Sequence, residues 1–194
     1  MSINTDYFGA KLTRWDKYFH NICEVIASKS PCMSRKIGAI LVRNNSIIST
    51  GFNGPARGIP HCGHERFEAD ESLTFIASTK EFDELGFRSL IGTTCPRRLL
   101  GYESGTHMEL CTAQHAEENA VSNAARLGVS VDGSTLYMNS VIPCKNCFST
   151  LINAGIVEIV VDEVKVYDKH TQFIIDNSDI KIRSFRNEDS NPRF

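Results

Sequence analysis

Two short segments constrain this chain more than anything else in it: His115-Ala116-Glu117 and Pro143-Cys144-Lys145-Asn146-Cys147. Each opens a predicted helix. His115 starts an Ala-rich run to residue 127 that Gly128 closes, and Cys144 starts a run to residue 154 that Gly155 closes. Cys144 and Cys147 stand one helical turn apart, so both sulfurs can reach one tetrahedral ion, and the helix N-terminus favours their thiolate form. His115 adds a neutral nitrogen ligand. Three protein ligands leave a fourth position, which a structural site fills with another side chain and a catalytic site keeps for water. Glu117 comes two residues after the ligand histidine and can stand beside that position without occupying it.

The remaining pattern supplies a scaffold. Trp15, Phe19, Ile22 and Ile26 recur at helical spacing and predict a helix over 13–29, with Cys23 beside the stripe and Pro31 beyond its end. Residues 37–42 and 46–50 read as strands joined by a hairpin turn at Asn44-Asn45. Residues 51–62, rich in Gly and Pro, read as a loop. Residues 63–94 are polar and mixed, with a short helix expected over 79–85. Residues 95–114, with Pro96, Gly101 and Gly105, read as mostly irregular. Strands over 135–139, 157–161 and 180–185 then alternate with helices from 144 and over 172–177, ahead of a polar tail at 186–194. This order predicts a single α/β domain over 1–194. Its expected form is a three-layer α/β/α sandwich with a mixed sheet of about five strands, helices on both faces and no internal repeat.

Composition matters where it excludes partners. The 194-residue chain is 41% hydrophobic and 23% charged, with a formal net charge of -2. It lacks the basic excess of a protein that grips a polynucleotide, so a small substrate is expected. No apolar run is long enough to span a bilayer, and residues 1–6 lack the build of a signal peptide. A cytoplasmic location is expected, in a bacterium or a virus-infected host cell, with no membrane partner. In a reducing compartment the seven cysteines read as thiols or metal ligands rather than disulfides.

Alone, a Cys-x-x-Cys pair is also a zinc knuckle or a redox pair, and His-x-Glu alone means nothing. Combined, with Pro143 before the pair, they match the signature of zinc-dependent nucleobase deaminases. In that chemistry zinc lowers the pKa of a bound water toward ~7. Glu117 is then the candidate that takes the water's proton, protonates the ring nitrogen beside the attacked carbon, and later protonates the departing amine.

Three further stretches carry a closer resemblance: Cys32-Met33-Ser34-Arg35-Lys36-Ile37-Gly38-Ala39; Gly51-Phe52-Asn53-Gly54 followed by Pro60-His61-Cys62; and Ser104-Gly105-Thr106-His107-Met108-Glu109-Leu110-Cys111. With them the chain resembles the deoxycytidylate (dCMP) deaminases of the cytidine deaminase superfamily from about residue 15 to 185, with residues near 63–94 as an insertion. The resemblance implies a cytidine deaminase-like fold and the conversion of dCMP to dUMP and ammonia, feeding thymidylate synthesis. It implies that Asn53 hydrogen-bonds the deoxyribose, that the Ala116 N–H holds the pyrimidine carbonyl, and that Ser34, Lys36 and Tyr167 approach the phosphate. Read without it, Lys36 is equally a solvated charge at a strand edge and Tyr167 a half-buried aromatic. Two residues depart from the family pattern. Glu118 follows the catalytic glutamate where Leu, Gln or Met is common, and Phe52 replaces the usual Tyr. Relatives use the loop at Phe52 and the subunit interface for feedback by dCTP and dTTP. The resemblance thus implies a triphosphate effector with Mg2+ and a homo-oligomer, and Phe52 in that loop counts against the effector.

Five cysteines lie outside the catalytic pair. Cys23 reads as core. Cys32, Cys62, Cys95 and Cys111 sit at loop or element boundaries, and similar proteins often carry a second zinc built from equivalent loops. Four thiolates would close a structural site, with His107 as the substitute ligand and His61 and His64 as weaker ones. The alternative is four unmetallated thiols. Three other functions stay open beside the dCMP reading. A polynucleotide deaminase, such as a tRNA adenosine deaminase, needs a basic channel. A free-cytidine deaminase has no use for a phosphate-binding set. A non-catalytic zinc scaffold would be free to lose Glu117.

Overall fold

The computed structural model describes residues 13–79, 84–103, 105–166 and 169–185. Its elements, in chain order, are α1 (Arg14–Ala27), β1 (Gly38–Arg43), β2 (Ser46–Phe52), β3 (Gly54–Pro55), α2 (His64–Ala69), α3 (Glu71–Ser78), α4 (Glu84–Ile91) and α5 (Pro96–Leu99). There follow β4 (Ala113–Gln114), α6 (Ala116–Arg126), β5 (Thr135–Met138), α7 (Lys145–Asn153), β6 (Glu158–Val161), α8 (Lys169–Asp176) and β7 (Lys181–Ser184). Two compact units result. The first takes the described residues within 1–29, 37–52 and 115–194; the second takes Ser30–Lys36 and those within 53–114.

The first unit is the expected three-layer sandwich. Its five-stranded sheet runs β2-β1-β5-β6-β7, with β1 antiparallel to both neighbours and β5, β6 and β7 mutually parallel. β1 is buried along almost its whole length, as its unbroken apolar run requires. Its alternate side chains point to opposite layers. Ile40 and Val42 join Phe19 and Cys23 of α1 on one face, with Tyr137 and Val160. Ala39 and Leu41 face Ala120 and Ala124 of α6 and Phe148 and Leu151 of α7 on the other. Asn44 and Asn45 both take left-handed backbone (φ 52 and 56), which is the two-residue hairpin turn their sequence predicts. Gly51 lets α6 lie flush on β2, since a Cβ there would run into the Ala116 carbonyl and the Ala120 amide.

Asp16 has two roles that local sequence does not separate. It completes a capping box with Thr13 at the start of α1. It is also buried and accepts a bidentate pair of bonds from Arg183, both at 2.9 Å, and one from the Tyr137 hydroxyl at 2.8 Å. Arg183 reaches on to Glu158 at 2.9 Å. Burial alone would raise the Asp16 pKa, but Arg183, Thr13 and Tyr137 together hold it well below the usual carboxylate range.

The second unit departs from the sequence expectation. Residues 63–94 carry α2, α3 and α4, and α5 and a 3-10 turn (Met108–Leu110) occupy much of the segment read as irregular. The helix expected over 79–85 falls largely outside the described residues; Thr79 ends α3 and α4 starts at Glu84. These helices are four to eight residues long, too short for an apolar period to show. They bury a small core of Phe67, Leu73, Ala77, Ile91, Leu99 and Leu100. Buried Arg66 donates to Asp70, to the Thr112 hydroxyl and to the Leu110 carbonyl. β3 pairs antiparallel with β4. Among the described residues, no helix is long and apolar enough to cross a membrane.

Candidate metal centre and active site

The first unit brings His115, Glu117, Cys144 and Cys147 together. His115 is the N-cap of α6 and Cys144 the N-cap of α7, and both have extended backbone (ψ 156 and 164). His115 Nδ1 lies 3.2 Å from Cys147 Sγ and 3.7 Å from Cys144 Sγ, and the two sulfurs are 3.5 Å apart. Ligands at ordinary zinc distances on a tetrahedron stand about 3.8 Å (S to S) and about 3.6 Å (N to S) apart. The three donors therefore suit zinc in both atom type and spacing. Among the described residues, no fourth His, Cys, Asp or Glu ligand atom joins them within 4.8 Å.

The donors hold their protons jointly. Cys144 is held down at about 4, chiefly by the hydrogen bond it shares with Cys147, then by His115, with burial opposing. Cys147 is pushed far up by that same bond and by burial. His115 is pushed up to about 9, first by its bond to Cys144, against burial and with the charge of Glu117 adding. A divalent ion at this point displaces such protons, because it binds thiolate and neutral imidazole. Glu117 is buried in the first turn of α6 with Oε1 3.8 Å from His115 Nδ1. Burial pushes its carboxyl above the usual range, with its own backbone N–H and His115 opposing. A carboxyl shifted in that direction is suited to both accepting and returning a proton near neutrality.

Sequence reasoning missed the groups that fasten α6 to β2. Asn119 Nδ2 donates to the Phe52 carbonyl and Asn123 Nδ2 to the Thr50 carbonyl, both at 2.8 Å, and the Ser49 hydroxyl donates to the Ala120 carbonyl at 2.6 Å. Two asparagines four residues apart among alanines were the available signal. Ala116 is buried at the first helical position. Glu118 beside it is half-buried, and its charge adds to the rise at His115.

The second unit holds most of the other candidates. Ser34 and Lys36 are exposed. Asn53 is buried; its Oδ1 accepts from the Ser30 hydroxyl at 2.8 Å and its Nδ2 donates to the Arg35 carbonyl at 2.9 Å. Tyr167 lies outside the described residues. Cys32, Cys62, Cys95 and Cys111 all belong to this unit. The Cys62 thiol is pushed up to about 11, first by burial and then by Cys95, Cys111 and Cys32. Cys62 thus feels the other three, but the four sulfurs do not come within 4.8 Å of one another as the three donors above do. Among the described residues, sets of three or more donors within 4.8 Å are His115/Cys144/Cys147 and His20/Glu24/Asp162. The His107 ring stacks on Tyr102 at 3.8 Å, and its Nδ1 lies 2.9 Å from Glu109 Oε1. His61 and His64 are exposed.

The cytidine and deoxycytidylate deaminase zinc-binding region is matched over residues 13–163, which includes both ligand-bearing helix starts. This chain belongs to the cytidine and deoxycytidylate deaminase family. It is 30% identical over 171 residues to the deoxycytidylate deaminase of Schizosaccharomyces pombe, covering 88% of this chain and 44% of the relative. It is 33% identical over 155 residues to the deoxycytidylate deaminase of Enterobacteria phage T4, covering 77% of each. The chain spans less than half the length of the two yeast relatives it matches. A solved dCMP deaminase from the cyanophage S-TIM5, in complex with dCMP and dUMP, superposes with a TM-score of 0.59 at 20% identity. It covers 91% of this chain and 100% of that one, and shows the shared fold.

Proposed function

We propose that this chain deaminates dCMP to dUMP and ammonia. The observation that carries the reading is the nitrogen and two sulfurs of His115, Cys144 and Cys147 at zinc spacing with buried Glu117 beside Nδ1, on a chain related to deoxycytidylate deaminases. Zinc held by those three donors supplies Lewis-acid activation of water. Glu117 would accept one proton of the water and pass it to the pyrimidine ring nitrogen as the water oxygen bonds to the attacked carbon; it would then carry the remaining proton of that oxygen to the amine, which leaves as ammonia as the C–N bond breaks. Ala116 N–H orients the pyrimidine carbonyl and Asn53 the deoxyribose. Ser34, Lys36 and Tyr167 serve the phosphate.

A second, structural zinc on Cys32, Cys62, Cys95 and Cys111 belongs to the same reading. The placement of Cys95, Cys111 and Cys32 near enough to add to the burial-driven rise at Cys62 supports it, because a cation stabilises thiolates held together. The pairing of His107 with Tyr102 and Glu109 supports four cysteines as the ligand set. Regulation by dCTP and dTTP with Mg2+, a homo-oligomer, one deaminase domain with 63–94 as its insertion, and a cytoplasmic location complete the proposal. The net charge of -2 argues against a polynucleotide substrate. Ammonia release is measured with dCMP, cytidine and a tRNA stem-loop. Turnover of dCMP supports the reading; turnover of cytidine or the stem-loop without dCMP overturns it.

A further inference from the structure

We infer that Asn119 is a positioning residue that holds both the metal-ligand histidine and the catalytic glutamate in register. The inference rests on the deaminase reading above. Asn119 makes two bonds from one position. Its backbone N–H donates to the His115 carbonyl at 3.0 Å, closing the first turn of α6. Its side-chain amide donates to the carbonyl of Phe52, the last residue of β2, at 2.8 Å. One residue thus joins the backbone of the ligand histidine to the end of the edge strand, and Glu117 lies inside the turn so fastened.

That turn has special need of an outside tether. Helix starts leave backbone N–H groups without intrahelical partners, and an N-cap side chain ordinarily secures them. His115 occupies the N-cap of α6 and makes no side-chain cap bond, since its ring faces the two cysteine sulfurs. Asn119 secures the turn from its far end instead. Gly51 permits this close approach, because a Cβ there would run into the Ala116 carbonyl and the Ala120 amide of α6.

Asn123 supplies a matched comparison. It has the same amide donor, a β2 carbonyl as acceptor and the same 2.8 Å length, one turn farther from the site. A purely structural role makes the two asparagines equivalent. A positioning role makes only Asn119 change the site.

Asn119→Ala, Asn119→Asp and Asn123→Ala are compared as zinc-loaded proteins. Asp keeps the size of Asn but loses the amide donor. Both Asn119 variants are expected to lower kcat for dCMP about 10- to 100-fold with KM within about threefold, and to speed zinc release to a chelator about tenfold, the range for groups that orient metal ligands. They should also alter the visible spectrum of the cobalt-substituted protein. Asn123→Ala should change kcat and zinc release by less than about twofold at a similar loss of Tm. Equal effects of Asn119→Ala and Asn123→Ala on zinc release and cobalt spectrum, or none from Asn119→Ala, would overturn the inference. Those two readouts need no turnover. Absence of dCMP turnover in the unsubstituted chain would therefore fail the deaminase reading and leave Asn119 to be judged on the metal.

Discussion

Glu117 Oε1 stands 3.8 Å from His115 Nδ1, the same ring nitrogen that faces Cys144 and Cys147. Among the described residues, no carboxylate oxygen lies within 4.8 Å of all three donors, so Glu117 borders the donor set without belonging to it. Ligation and proton transfer are thereby given to different side chains.

Glu117→Gln separates the two duties. It removes the proton carrier and leaves His115, Cys144 and Cys147 in place. Ammonia release from dCMP is expected to fall by about 10²- to 10⁴-fold, the usual contribution of a general acid–base group. Zinc content, measured on the same preparation, should not change. Parallel loss of zinc would show Glu117 to be a ligand.

Metal counting tests the two cysteine sets. The chain is expected to bind two zincs. Cys144→Ser should lower the count by one and abolish turnover at little cost in Tm. Cys62→Ser should also lower it by one, with the main effect on Tm, as for a structural site. A count of one in the unsubstituted chain sinks the four-cysteine site.

Asp16→Asn breaks a buried pair and leaves Arg183 short of a carboxylate, so a loss of about 3–5 kcal/mol is expected from denaturant unfolding at pH 7. The pH dependence has a definite sign. Asp16 is held below its unfolded value of about 3.9. Its stabilisation is complete above that value and disappears as pH falls through the lower, folded pKa. The gap between the unsubstituted chain and Asp16→Asn should narrow as pH drops from 5 toward 2; a constant gap would mean the charge plays no part.

His20 carries the opposite sign. Its Nε2 lies 2.7 Å from Asp162 Oδ1, and this bond raises its pKa although burial works against the rise. The pair stabilises fully below the unfolded histidine value of about 6.5 and stops doing so as pH rises through the higher, folded pKa. Thermal melts should show Asp162→Asn costing more at pH 6 than at pH 9. An equal cost at both would rule out charge coupling.

The chemistry of the candidate site was legible because each ligand motif is local. His115 and Glu117 share one helix start, and Cys144 and Cys147 share another, so spacing alone put each pair within one turn. The hairpin was legible for the same reason, since Asn tolerates left-handed backbone better than most side chains and Asn44 and Asn45 both take it here. The helices of 63–94 were not. They are short, and Arg66, which reads as surface charge, is buried by partners 44 and 46 residues away.

By itself, then, the sequence determined the donor types, their spacing within each segment, and the alternation of helix and strand that builds the sandwich. Only the tertiary structure decided that Nδ1 is the nitrogen facing the sulfurs, that Glu117 is buried, that Asn119 reaches Phe52 across 67 residues, and that Asp16 meets Arg183 across 167. Those features come from burial and hydrogen bonding between distant segments, and no pattern within one helix or strand encodes them.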